Sequence, residues 1–146
     1  MALPRSVIRI RNDHIEYLSE VERCQYTLFE LTRAALRDVG KLICKKFRAK
    51  YYSKFKRKKG RIGKYTQYWV RKNQPFPDLL VGIKPFAFYG LFQEIGSEKQ
   101  PKLGLLTETV NENINNIIEI EGKYLSAIEN DNEAERLIDE EETLSE

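Results

Sequence analysis

The sequence predicts an α+β domain: a long N-terminal helix, a small antiparallel sheet and a long C-terminal helix. Three observations carry this. No proline interrupts residues 13–74, and Leu18, Val21, Leu28, Ala35, Val39 and Leu42 recur at three-four spacing. Two short runs rich in β-branched and aromatic residues, 65–70 and 79–83, then flank Pro75 and Pro77. From Leu106 the helical period returns through Val110, Ile114, Ile117, Ile118, Leu125 and Ile128. Runs of strand sandwiched between helices read as α+β.

Each element has its own signals. Residues 7–11 alternate weakly, as a short strand would. Asn12 and Asp13 offer an N-cap, with Glu16 at the capping-box spacing, so the first helix is expected over residues 14–52. Its length is about 60 Å at 1.5 Å per residue. A domain of this size has a radius of gyration of about 15 Å. Part of the helix must therefore project, bend near Gly40, or pack on another subunit. Residues 54–64 read as a loop with Gly60 and Gly63, and the two strands pair across a proline-containing loop. Residues 86–95 form a short apolar strand or helical turn. The last helix starts at Leu105 or Leu106 and ends near residue 128, with Gly122 weakening it modestly. The domain is expected to span 1–128. Residues 129–146 are acidic and are expected to form a mobile tail, with at most a weak helix through Ala134, Leu137 and Ile138.

Composition narrows the function. With 41% hydrophobic residues in 146, one domain can bury a core. No run of 18 apolar residues exists, and the first ten residues have no signal-peptide core, so a cytoplasmic protein with no membrane partner is expected. Cys24 and Cys44 on one helix stand about 30 Å apart. That is too far for an intrachain disulfide, and both read as small core residues. His14 is the only histidine and no paired-cysteine motif exists, so neither a metal nor another cofactor is expected. Walker, dinucleotide-binding and serine-hydrolase motifs are absent, and an enzyme is not expected.

Charge is polarised along the chain. Residues 41–72 hold 14 Lys or Arg and no acid, whereas residues 108–146 hold 13 Asp or Glu against Lys123 and Arg136. Such asymmetry marks an interaction protein. The densest segment carries Lys54, Lys56, Arg57, Lys58, Lys59, Arg61 and Lys64, with Phe55, Tyr65, Tyr68 and Trp69 interleaved or adjacent. Three readings stay open for it: contact with DNA, docking on an acidic protein surface, and a solvated loop.

One stretch stands apart. Residues 88–101 join an aromatic pair, Phe88 and Tyr89, to the step Glu94-Ile95-Gly96-Ser97, a polar linker and Pro101. Gly96 permits a turn that a side chain would block. Glu94 can accept hydrogen bonds from that turn or from the start of the last helix, as a corner brace, or serve as a subunit contact. With one histidine in the chain and no catalytic partner for Glu94, an active site is not the reading.

This arrangement resembles a family of small tail-component proteins of tailed bacteriophages and prophages. In that family a strand leads to Tyr-Ala or a similar aromatic pair, then Glu-Phe-Gly-Thr, a short polar linker, a Pro-Phe-Leu turn and a long C-terminal helix; Gly104 stands here where the family has that proline. Here Phe88 and Tyr89 stand for the pair. Glu94, Ile95, Gly96 and Ser97 match the Glu-Phe-Gly-Thr step, Gln100 and Pro101 match the linker, and Leu105 and Leu106 stand for Phe-Leu. The family's long first helix and variable basic loop have counterparts too, so the resemblance covers roughly residues 10–128. It implies a virion structural protein of the neck or tail, acting in tail completion or head–tail joining. It further implies a ring of identical copies, a hexamer if it follows tail symmetry, contacting neck, tail-terminator or tail-tube proteins after assembly in the bacterial cytoplasm. The segment of Lys54 to Lys64 would then face DNA in the channel or an acidic neighbour. The alternative from another class is a free nucleic-acid-binding protein that uses residues 54–69.

Overall fold

A computed structural model describes residues 7–12, 15–55, 61–73, 75–99 and 101–143. The chain opens with a hairpin: β1 (Val7–Asn12) pairs antiparallel with β2 (Ile15–Ser19), with a register irregularity between Ile8 and Ile10. The helix expected from residue 14 therefore starts later. Ile15, Tyr17 and Leu18 suit a pleated strand, and Asn12 followed by Asp13 is turn chemistry as much as cap chemistry. Asp13 and His14 lie outside the described residues.

Helix α1 (Val21–Lys54) is the spine. Its 34 residues give about 51 Å at the standard rise. The sequence favours it with no proline and one glycine over the whole span. That glycine, Gly40, sits under the ring of Tyr68: a Cβ there would lie 2.5 Å from Tyr68 Cγ. Alanine would improve helix propensity by about 1 kcal/mol. The clash with a packed ring should still win, making Gly40→Ala destabilising by about 1–3 kcal/mol in urea unfolding.

Among the described residues the spine is covered by two separate cores rather than one. Toward its start, Leu31, Ala34 and Ala35 meet Tyr124, Ala127, Ala134, Leu137 and Ile138. Toward its end, Phe47 meets Ile62, Ala87 and Leu105, with Tyr51, Tyr65, Ile83, Tyr89, Leu103 and Leu106 around them. A long helix thus fits a small domain by serving two clusters in series.

The remaining elements follow in order: α2 (Arg61–Tyr65), then β3 (Thr66–Arg71) and β4 (Asp78–Ile83), an antiparallel pair lying on α1. The two strands match the expected hairpin. Residues 61–64 are helical where a loop was expected, and Tyr65 ends that helix instead of opening the strand; Arg48 holds the turn, donating from Nε to the Gly63 carbonyl (2.8 Å) and from Nη2 to the Thr66 carbonyl (2.7 Å). A 3₁₀ turn (Pro85–Ala87) leads into α3 (Tyr89–Ile95). The expected single C-terminal helix is divided into α4 (Leu105–Glu112) and α5 (Ile114–Ser126) at Asn113. The Asn113 side chain donates to the Thr109 carbonyl (2.8 Å), a local bond that competes with the regular ladder. Lys50 ties α4 to the spine through Glu108 (2.9 Å) and Glu112 (3.0 Å).

Two expectations need correction. The segment expected as a tail outside the domain contains α6 (Asp131–Thr143), and its Ala134, Leu137 and Ile138 are buried in the first core. The boundary at residue 128 therefore cuts through a single packed cluster. Of the two cysteines expected in the core, only Cys44 is buried; Cys24 is exposed, and both are free. Burial pushes the Cys44 thiol above its usual value, with Arg48 pulling weakly the other way. Among the described residues, no helix is long and apolar enough to cross a membrane.

Candidate functional site

The corner between α3 and α4 is built from local rules. After α3 the chain must turn sharply, and Gly96 takes φ 90° to do it. A Cβ at Gly96 would press on the backbone of Lys102 at 3.1 Å, so glycine is required twice over. The turn brings Leu103 N–H to the Gln93 carbonyl (2.8 Å), closing the linker back on α3. Helix α4 then begins with Gly104 as its N-cap residue, which has no side chain to accept the first amides. Glu94 supplies the missing acceptors from the neighbouring helix. Its Oε2 accepts from Leu106 N–H (3.0 Å), and its Oε1 accepts from Thr107 N–H (2.9 Å) and the Thr107 hydroxyl (2.9 Å). These are the second and third amides of the helix, the ones a local cap would satisfy. The carboxylate also meets the positive end of the α4 dipole. Glu94→Ala should lose about 1–2 kcal/mol by urea denaturation, in the range of a lost N-cap. A Glu94→Ala protein with unchanged midpoint and unchanged assembly would rule out both roles considered for this residue.

Placement of the other motif residues follows. Tyr89 is half-buried against the second core, and its ring packs edge-on to Phe88 at 6.0 Å. Ser97 and Pro101 are exposed in the linker. Phe88 is 67% exposed, and it is not alone. Phe88, Leu91, Phe92 and Ile95 fall at helical spacing on one side of α3, with exposures of 67, 56, 45 and 64%. The preceding turn adds Phe86 at 76%. An amphipathic helix normally turns its apolar stripe inward. Here the stripe faces solvent, stiffened by the edge-on packing of Phe88 and Phe92 at 6.4 Å. Sequence reasoning singled out Phe88 but missed Phe86, Leu91, Phe92 and Ile95 as surface. The signal was the three-four spacing in an apolar run; what spacing cannot tell is which way the stripe turns.

The basic segment is distributed differently from its sequence. Lys54 is exposed on the last turn of α1, and Lys64 is exposed on α2 with its Nζ 5.7 Å from the Tyr65 ring centre. Arg61 opens α2. Lys56, Arg57, Lys58 and Lys59 lie outside the described residues. Arg48, counted in the same basic run, is engaged with backbone carbonyls and belongs to the fold rather than to a binding face. Of the nearby aromatics, Tyr68 covers Gly40, whereas Trp69 stands 43% exposed on the outer face of the sheet beside Leu80.

Two wide clefts accompany these features. One of about 530 Å³ lies between the first turns of α1 and the strand loop, lined by Leu28, Phe29, Pro75, Phe76 and Pro77. The other, about 410 Å³, runs along β4, with Val39 and Ile43 of α1, Leu79 and Val81 of β4, and Leu106, Val110 and Ile117 opposite. Comparison with protein-family models, with curated proteins and with solved structures finds no match for this chain.

Proposed function

We propose that this chain is a structural protein of a tailed bacteriophage or prophage virion, acting in tail completion or head–tail joining as a ring of identical copies. The observation that carries the reading is the corner at residues 88–101. Its motif residues resemble the tail-component pattern, and they converge on one joint, where Glu94 caps α4 across the Gly96 turn. The outward stripe beside it supports the assembly part of the reading. An exposed apolar face of five large side chains is a contact surface in waiting. We assign this stripe to the neighbouring neck or tail protein, and Lys54 and Lys64 with the intervening basic residues to DNA in the channel or to an acidic surface of the adjoining ring.

Size-exclusion chromatography with light scattering tests the reading directly. Self-assembly, or a complex with a neck or tail-tube protein that Leu91→Asp abolishes, is the expected result. A stable monomer that retains duplex DNA on a filter would favour the free nucleic-acid-binding protein instead. Filter binding by the assembled ring should weaken steeply from low to high salt, because phosphate contacts release counterions. No retention by the ring at low salt would remove DNA from the partners of the basic segment.

A further inference from the structure

The outer face of the β3–β4 hairpin carries a ring and charges that neither core uses. Tyr68 turns inward over Gly40, so Gln67, Trp69 and Arg71 of β3 turn outward, opposite Gly82, Leu80 and Asp78 of β4. Trp69 and Leu80 stand in the middle of this face, 43 and 45% exposed. The indole leans diagonally across the ladder: a Cβ on Gly82 would meet its Cζ3 at 3.8 Å. With glycine there, the ring's edge rests over bare backbone and its body stays open to solvent.

Charge on this face has one sign. Residues 41–93 contain a single acid, Asp78. Arg71 holds it, donating from Nε to Oδ1 (2.6 Å) and from Nη2 to Oδ2. Lysines stand at both ends of the ladder. Lys72 follows Arg71 at one end and is exposed. At the other end Lys84 N–H donates to the Tyr65 carbonyl (2.9 Å), and Lys64 has its Nζ 5.7 Å from the Tyr65 ring centre. From Tyr65 to Arg71 the span is about 20 Å at the strand rise.

An exposed ring between cationic ends suits a single nucleic-acid strand. A base stacks on the ring, and the phosphates on either side meet ammonium groups. A duplex keeps its bases stacked on one another, out of reach of the indole. One indole and one leucine are little apolar area for a protein partner. We propose that the outer face of β3–β4 binds single-stranded nucleic acid, with a base stacked on Trp69 and phosphates on Lys64, Lys72 and Lys84. The contact needs one copy only, so it goes beyond the ring reading and does not rest on it.

Trp69 is the only tryptophan of the chain, so its fluorescence reports the contact itself. Titrating the full-length protein at low salt with an oligothymidylate of about 20 nucleotides should quench it. With the strand labelled, fluorescence anisotropy should show Trp69→Ala binding about 10-fold more weakly or worse, and Trp69→Phe, which keeps a ring, close to the original. Circular dichroism should not change in either variant, because Trp69 belongs to neither core. Replacing Lys64 and Lys84 by alanine should flatten the slope of log affinity against log salt by about 0.7 per lysine, the single-strand value. Duplex DNA of the same length should bind about 10-fold more weakly than the single strand. Binding without quenching, or undiminished in Trp69→Ala, would overturn the platform, and a duplex bound as tightly would overturn the choice of strand. A protein that assembles into a ring yet keeps its fluorescence unquenched would overturn this contact and leave the ring standing. A monomer that is quenched, with neck and tail proteins present, would do the reverse.

Discussion

A chain ended after Asn130 is expected to lose its cooperative unfolding transition, although only an acidic segment has been removed. That segment supplies Ala134, Leu137 and Ile138, three of the eight buried residues described in the first core. Without α6, Leu31 and Ala34 on α1, both fully buried, would face water, together with Tyr124 and Ala127. Leu137→Ala alone should cost about 3 kcal/mol, the middle of the range for a buried leucine. For a domain of this size that corresponds to a fall of about 10 °C in Tm. Total stability is roughly 5–15 kcal/mol, so the truncation, which removes two large aliphatic side chains, Leu137 and Ile138, together with Ala134, should leave the first core unfolded. Thermal unfolding followed by circular dichroism decides it. A truncated chain that melts within about 2 °C of the full one would show that α6 contributes nothing to the core.

Glu30→Ala is expected to have the next largest effect. Glu30 and Arg33 are both buried on α1, each with a side chain 8% exposed, and Arg33 Nη1 donates to both carboxylate oxygens at 2.9 and 3.0 Å. Arg33 Nε has no partner among the described residues, so the guanidinium depends on this one carboxylate. Removing it strands a buried charge, which costs about 3–5 kcal/mol. Replacing both members with apolar residues, Glu30→Leu with Arg33→Met, should recover most of that loss, because the desolvation of two charges disappears with them. Urea unfolding of the single and double variants separates the effects. A single variant that loses less than about 1 kcal/mol would mean the pair behaves like a surface ion pair.

The two variants also mark where sequence reasoning stops. The acidic composition of residues 129–146 pointed outward, and three apolar residues at helical spacing looked too few for a core helix. They suffice because they close on small residues: Ala34 and Ala35 let α6 approach the spine, and Ala134 does the same from the other side. That complementarity exists only once both helices are side by side. Asn12 and Asp13 failed for a related reason, since the same residues begin helices and close hairpins. The choice went to the hairpin through pairing across five registered positions, a contact between segments rather than a property of either.

The corner was more legible. Gly96 and Glu94 could be named in advance because each does something few residues can: glycine accepts a positive φ, and a carboxylate accepts several amides at once. Gly104 leaves α4 without a local cap, and that Glu94 holds those amides instead needed the distance between α3 and α4. The basic segment was legible as charge and misleading as a unit, because Arg48 in its run is committed to carbonyls of the fold.

By itself, then, the sequence determined the α+β class, the proline-free spine, the two strands on either side of the proline loop and the glycine corner. Those follow from period, backbone freedom and hydrogen-bonding capacity, which are local properties of the chain. The tertiary structure alone decided which apolar faces are covered. It buried the stripe of α6 and turned that of α3 to solvent, because coverage depends on what lies opposite and no residue carries that information about itself.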